Sequence, residues 1–365
     1  MNPFNIFSGE KKNTAGRFLK KSSSFKNPVI FIDGFNGSGK TLLAPIVSAL
    51  PKVELLTFAY PVEWISSILY SDNISPDAYK EFIKMFVDES IYNQQMSRSI
   101  NFRHSDLSSV FRSSKKFTYF SRLFKKGDDH VVEIINNSNP ISSFTTNCLL
   151  PFFPVLNEAL HDRLLFIETV KDPLTMFEQV YILRKNIINT KSEKDFTFRS
   201  FSESNDLSFL DFYSDNNVYE DNHSLGLEEN IVNWLERILN FTISCESSKD
   251  NSRILFVPFE DFVLNPMPFI KIIAQKNEVS IDKKTKTEIK KQKVPRKILS
   301  AGLKIPIYKK YGAKNSNFKT LEEERIGTLN YIKNLMNDDK SYNKLIKISE
   351  KYNKWRNKYV ERLPL

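Results

Sequence analysis

Three glycines, a lysine and a threonine stand at a spacing that could do chemistry: Gly34, Gly37, Gly39, Lys40 and Thr41, within Asp-Gly-Phe-Asn-Gly-Ser-Gly-Lys-Thr. Gly34 to Thr41 matches G-x-x-x-x-G-K-[ST]. Glycines permit positive φ and let successive backbone N–H groups turn inward around an anion. A helix beginning at the lysine adds the partial positive charge of its N-terminus at the same place. Lys40 brings a full charge to a phosphate, and Thr41 offers a hydroxyl to a phosphate oxygen or a magnesium ion. The pattern is that of a phosphate-binding loop, with Asn36, Gly37, Ser38, Gly39, Lys40 and Thr41 as its ligand-facing residues.

Such a loop works only between a strand and a helix. Val29-Ile-Phe-Ile-Asp33 is an apolar, β-branched run that predicts a buried strand, and Thr41 to Leu50 has helical periodicity. Val53 to Phe58 reads as a second strand, which makes a β-α-β opening and implies a parallel sheet. Further strands are predicted at His130–Ile135, Arg163–Val170 and Arg253–Pro258. Ser142 to Leu160 reads as an interrupted helix, Leu174 to Ile188 and Leu227 to Phe241 as helices, and Pro268 to Gln275 as another. The fold class expected is α/β: a three-layer P-loop fold, its sheet mainly parallel, with helical insertions and a helical, basic C-terminal segment. Residues 1–27 read as a flexible basic arm and 28–365 as a single domain, with insertions near 61–126 and 190–250. The basic residues of 61–126 are expected on the outer face of a helical lid, with a nucleic-acid-binding patch as the alternative.

Composition narrows the classes. The 365 residues include 41% hydrophobic side chains and 30 Phe, enough for a large core. A formal net charge of +10 suits anionic ligands. Two cysteines exclude a disulfide framework, and four scattered histidines suggest no metal site. No apolar run approaches the roughly 20 residues that span a bilayer, and a cytoplasmic location is expected.

Four pieces of the chain, taken in order, resemble the sulfotransferase family. Ser38-Gly39-Lys40-Thr41-Leu42-Leu43 is similar to that family's loop for the 5′-phosphosulfate. Val131-Val-Glu-Ile-Ile135 stands where the family often has a strand ending in a catalytic base. Leu165-Phe-Ile-Glu-Thr-Val-Lys171-Asp-Pro173 looks like its strand ending in R-D-P, and Ile254-Leu-Phe-Val-Pro-Phe259-Glu-Asp261 like its v-x-Y-E-D turn. The resemblance implies transfer of a sulfuryl group from 3′-phosphoadenylyl sulfate to a hydroxyl acceptor on a carbohydrate, lipid or small molecule. It implies Lys40 as the catalytic cation, and His130 or Glu133 as the nearest titratable groups for a base. Lys171, replacing the family's arginine, and Gln179, replacing its serine, would hold the 3′-phosphate, with Arg296 or Lys297 closing over it.

Two other readings remain open. Gly34 to Thr41 fits the Walker A loop of a kinase or other ATP- and magnesium-dependent enzyme, with Glu168 or Asp33 as the acid holding the metal. The chain could also be a nucleotide-binding protein without catalysis.

Overall fold

The computed structural model describes residues 20–127, 129–189, 226–248, 252–300, 318–336 and 338–364. Strand β1, Val29–Gly34, is buried along its whole length and runs into the glycine loop; helix α1, Lys40–Ser48, follows at once. Then come β2 (Thr57–Phe58), α2 (Tyr60–Tyr70), α3 (Pro76–Gln95), α4 (Lys116–Arg122) and α5 (Asp129–Ser138). Strand β3 (Ser142–Thr145) leads to α6 (Phe153–Leu160), β4 (Leu164–Val170) and α7 (Pro173–Asn189). Helix α8 (Leu227–Glu246) precedes β5 (Ile254–Pro258), α9 (Phe259–Leu264), α10 (Met267–Lys276) and α11 (Lys283–Lys291). Two helices, α12 (Leu321–Leu335) and α13 (Asp339–Glu361), end the chain.

The strands form one five-stranded sheet in the order β2-β3-β1-β4-β5, and every pairing is parallel. Side chains alternate across β1, so its two faces feed two cores. Val29 and Phe31 pack with α3, α6, α8 and α13, whereas Ile30 and Ile32 pack with α1, α10 and α11. Helices therefore cover both faces of the sheet, as the α/β reading requires. Each fully buried Ile or Phe contributes roughly 1.5–3 kcal/mol of apolar burial, so this two-sided core holds β1 and its loop in place.

The sheet differs from expectation at one strand. Residues 130–135 are not a strand but part of helix α5. Val131 and Ile135, one helical turn apart, are buried against Phe25 and Ile91, while Val132 between them is exposed. Five apolar-rich residues satisfy either period, and packing on α3 selects the helix. The strand in that part of the sheet is instead Ser142–Thr145, in the stretch expected to be helical; its register with Val29–Ile32 buries two serines and a threonine. The predicted strand at Val53 shrinks to Thr57–Phe58 and one parallel bridge, Val53 to Ile141.

Of the arm expected over 1–27, residues 1–19 lie outside the described residues. Lys21 and Ser24 bond to Asp88 on α3, and Phe25 is buried. The region 190–225 also lies outside them, as does 301–317.

Candidate functional site

The glycine loop leaves the C-terminal end of β1, where open parallel sheets keep their ligands. Gly34, Gly37 and Gly39 all have positive φ, at 142°, 87° and 106°. Gly39 is the N-cap of α1 and supplies no side-chain cap, so no side chain covers the first N–H groups of the helix, while Leu42 N bonds to the Gly39 carbonyl (2.9 Å). Lys40 is buried and folds back over the loop, donating to the carbonyls of Gly34 (2.5 Å) and Phe35 (3.1 Å). Burial lowers its pKa, and the negative charge of Asp33 opposes that effect. Thr41 is exposed on the first turn of the helix.

Ser38 is turned inward. Thr169 Oγ1 donates to the Asp33 carbonyl (2.9 Å), so the Ser38 hydroxyl donates to Thr169 (2.6 Å). This side chain ties the loop to β4 rather than facing a ligand.

Beneath the loop lie the acids. Asp33 is fully buried and accepts from Thr146 Oγ1 (2.9 Å), Leu149 N (2.7 Å) and Leu150 N (3.2 Å). Glu168 faces it in register across β1 and β4. Burial raises the pKa of both, with Glu168 raised well above the usual carboxylate range by burial and then by the charge of Asp33. Lys40 opposes the effect of burial on both, favouring their charged forms.

A third carboxylate was missed by sequence reasoning. Glu63, in the first turn of α2, accepts from Asn147 N (2.8 Å) and Asn147 Nδ2 (3.0 Å) on one oxygen. The same loop after β3 donates to Asp33, so both carboxylates are oriented by residues 146–150. Burial, and next the charge of Asp33, push the Glu63 carboxyl up to about 7. A polar residue just past the end of β2 was the available signal. Leu56, Phe58, Tyr60, Asn101 and Asp106 line a cavity of about 460 Å³, and Tyr60 shares the first turn of α2 with Glu63. The charges of Glu63 and Asp106 reach the Tyr60 hydroxyl and, with burial, raise its pKa.

On the other side of the loop, the turn after β4 delivers Lys171. Its buried ammonium lies 4.7 Å from the centre of the Phe259 ring, and burial lowers its pKa. The Gln179 carboxamide links it to the loop, its nitrogen donating to the Gly37 carbonyl (3.1 Å) and its oxygen accepting from Lys171 Nζ (3.2 Å). Phe259, the first residue of α9, closes on Gly39 from the end of β5. The structure therefore gathers the glycine loop, Lys40, Lys171 and Gln179 in one place.

A carboxylate network fixes this turn. Glu260 accepts from Asp172 N (3.0 Å) and from the Tyr352 hydroxyl. Asp172 accepts from Leu174 N (2.9 Å), Ser349 Oγ (3.0 Å) and Asn353 Nδ2 (3.3 Å), and burial followed by the Glu260 charge pushes it up to about 6. Helix α13 thus braces the Lys171 turn from the far end of the chain.

Of the remaining predicted residues, His130 and Glu133 stand apart. His130 and Glu133 are exposed on α5, 3.8 Å from each other. The C-terminal end of that helix bonds to Asn27, just ahead of β1, at the end of the sheet opposite the loop. Arg296 is buried, and its guanidinium donates to the carbonyls of Lys293 (3.0 Å), Leu299 (3.0 Å) and Gln292 (3.3 Å). Lys297 is exposed.

No family model matches the chain, and no curated protein sequence does. Among solved structures, the chain is similar to the sulfotransferase STF1 of Mycobacterium tuberculosis H37Rv, with a TM-score of 0.34 and 12% identity over 80% of this chain and 77% of that one. The sulfotransferase domain of the Synechococcus PCC 7002 olefin synthase gives 0.36 and 13% over 87% and 98%. The sulfotransferase STF9 of Mycobacterium avium gives 0.34 and 9% over 86% and 77%.

Proposed function

We propose that this chain binds 3′-phosphoadenylyl sulfate and transfers its sulfuryl group to a hydroxyl-bearing acceptor. The observation that carries this reading is the placement of a second buried cation, Lys171, beside the phosphate loop and joined to it by Gln179. A nucleotide with phosphates at both the 5′ and 3′ positions offers two anions to two cations. Burial disfavours the Lys171 charge against the opposing effect of Glu260, Glu178, Asp172 and Glu324, and an incoming phosphate would favour it further.

In the proposed reaction the loop amides from Gly37 to Thr41 hold the 5′-phosphosulfate, and the donor supplies an activated sulfuryl group. Lys40, already at the loop, orients toward negative charge on the donor's phosphate oxygens. Lys171 and Gln179 hold the 3′-phosphate. The cavity beside α2 admits the acceptor, and Glu63 replaces His130 and Glu133 as the group that takes its hydroxyl proton. With a pKa of about 7, Glu63 is matched to proton transfer near neutral pH.

The ATP-dependent reading keeps one favourable observation, the exposed Thr41 at the first turn of α1. Of its two candidate metal ligands, Asp33 is engaged through both oxygens in internal hydrogen bonds, and burial disfavours charge on Glu168. Calorimetric titration with adenosine 3′,5′-bisphosphate and with ATP, each with magnesium and with EDTA, separates the readings. Sulfuryl transfer expects metal-independent binding of the bisphosphate. Tight ATP binding that EDTA abolishes, with indifference to the 3′-phosphate, overturns it.

A further inference from the structure

Helix α4 is turned inside out. A surface helix ordinarily buries its apolar stripe and shows its charges to water. Here Lys115, Tyr119 and Arg122, spaced along one face, point inward. Lys115 Nζ donates to the carbonyls of Ser48 (2.9 Å), Leu50 (2.5 Å) and Val53 (2.5 Å) at the end of α1. Arg122 makes a two-pronged pair with the buried Glu54 (2.7 and 3.0 Å), and the Tyr119 hydroxyl donates to the same carboxylate (2.8 Å).

The phenylalanines are left outside. Phe117 is 74% exposed and Phe124 89%, the two most exposed large apolar side chains among the described residues, and Leu123 beside them is 47% exposed. In the same segment Phe102, Phe111 and Phe120, the last on α4 itself, form three rings in mutual contact, with centroids 5.8–6.4 Å apart. Because the inner face is bonded to the end of α1 and to the segment that leads to β2, the helix cannot roll to hide Phe117, Leu123 and Phe124.

Charge surrounds this apolar tip. Eight basic residues lie from Arg98 to Lys126 against a single acid, Asp106, which pairs with Arg103 (3.4 Å). With Lys115 and Arg122 turned inward, Lys116 lies over the Phe117 ring, and Lys125 and Lys126 follow Phe124 directly in exposed positions.

We propose that this face docks on a membrane surface bearing anionic lipids. Phe117, Leu123 and Phe124 would enter the boundary between headgroups and acyl chains, while Lys116, Lys125 and Lys126 meet the lipid phosphates. Apolar insertion and basic charge are each weak anchors alone, and the patch supplies both. Leu123 offers no π-face, and the three rings pack on one another at 49–73° rather than forming an open platform, so stacking of nucleic-acid bases is the poorer match. The association is peripheral: no helix among the described residues is long and apolar enough to cross a membrane.

Flotation of the full chain with vesicles tests this, using phosphatidylcholine alone and phosphatidylcholine mixed with phosphatidylserine. The chain should float with the mixed vesicles only, and added salt should weaken the association. Phe117→Ser with Phe124→Ser should lower partitioning at least about tenfold, and Lys125→Glu with Lys126→Glu should lower it as well. Thermal unfolding of these variants should match the parent, since none of the four side chains is buried. As a gain-of-signal measurement, Phe124→Trp should show a blue-shifted emission when mixed vesicles are added. Failure to float with mixed vesicles, binding untouched by the phenylalanine substitutions, no emission shift, or preferential capture by single-stranded oligonucleotide would each overturn the proposal.

Discussion

The Phe259 ring closes on Gly39 so tightly that a β-carbon at Gly39 would stand 2.3 Å from the ring carbon Cδ2. The same ring lies 4.7 Å from Lys171 Nζ, so one aromatic side chain sets the spacing between the phosphate loop and the second cation. The φ of 106° at Gly39 also disfavours any residue with a side chain. Gly39→Ala is expected to displace the ring, lower stability by about 1–3 kcal/mol and weaken adenosine 3′,5′-bisphosphate binding. Thermal unfolding paired with calorimetry reads both; unchanged values in both would show that this contact does not order the site.

Lys171→Ala should act on one phosphate more than on the other. Loss of a charge-assisted contact in a buried site costs about 2 kcal/mol. The ratio of affinities for adenosine 3′,5′-bisphosphate and adenosine 5′-phosphate should therefore fall at least about tenfold. Equal losses for the two ligands would place Lys171 away from the 3′-phosphate. Lys40→Ala, in contrast, should weaken both, because its partner is the phosphate they share.

Glu63 makes a pH signature that needs no acceptor. Its carboxyl is raised from 4.5 to about 7 in the folded chain, by burial first and by Asp33 second, with Lys40 and Asn147 opposing. Between those values the folded state binds more protons than the unfolded one, so this group's contribution to stability falls as pH rises from 4.5 to 7. The loss is at most about 3 kcal/mol. Glu63→Gln should remove this slope, and melting curves of the two proteins should converge at low pH and separate toward neutral pH. Once an acceptor is in hand, activity should rise through about pH 7 as Glu63 loses its proton. A Glu63→Gln variant with the parental pH–stability slope would refute the assignment.

Tyr352→Phe removes the hydroxyl that donates to Glu260 and leaves that buried carboxylate one donor short. A lost hydrogen bond to a charged, buried partner costs about 1.5–3 kcal/mol. We expect a lower Tm and a looser Lys171 turn, visible as faster amide exchange at Asp172, whose N–H bonds to Glu260. Protection at Asp172 equal to the parent's would mean that α13 covers the turn without bracing it.

Much of the fold and half of the site are legible in the residues themselves. Strands β1, β4 and β5 are buried on both faces of a parallel sheet, so each appears as an apolar run, and Gly34 to Thr41 announces its loop through residues that few other conformations require. Strand β3 is silent, because Ser142-Ser-Phe-Thr145 is buried by its neighbours in the sheet rather than by its own hydrophobicity. Residues 131–135 mislead for the opposite reason: their apolar character serves a contact with α3, and five residues do not distinguish a period of 2 from one of 3.6. Lys171 and Gln179 are readable as residue types in sequence, but their meeting with Gly37 depends on β4 lying beside β1. Glu63 carries only a weak local mark, its place just past the end of β2. Its raised pKa arises from burial and from Asp33, which a parallel crossover sets nearby. Tyr352, 92 residues beyond Glu260, reaches the site only when α13 folds back on the sheet. The chain's local chemistry determines that there is a glycine loop bearing Lys40 and a parallel sheet to hold it. Which carboxylate is free to move a proton, and which cation stands second to Lys40, is decided by long-range packing, because desolvation and charge depend on neighbours that sequence spacing does not reveal.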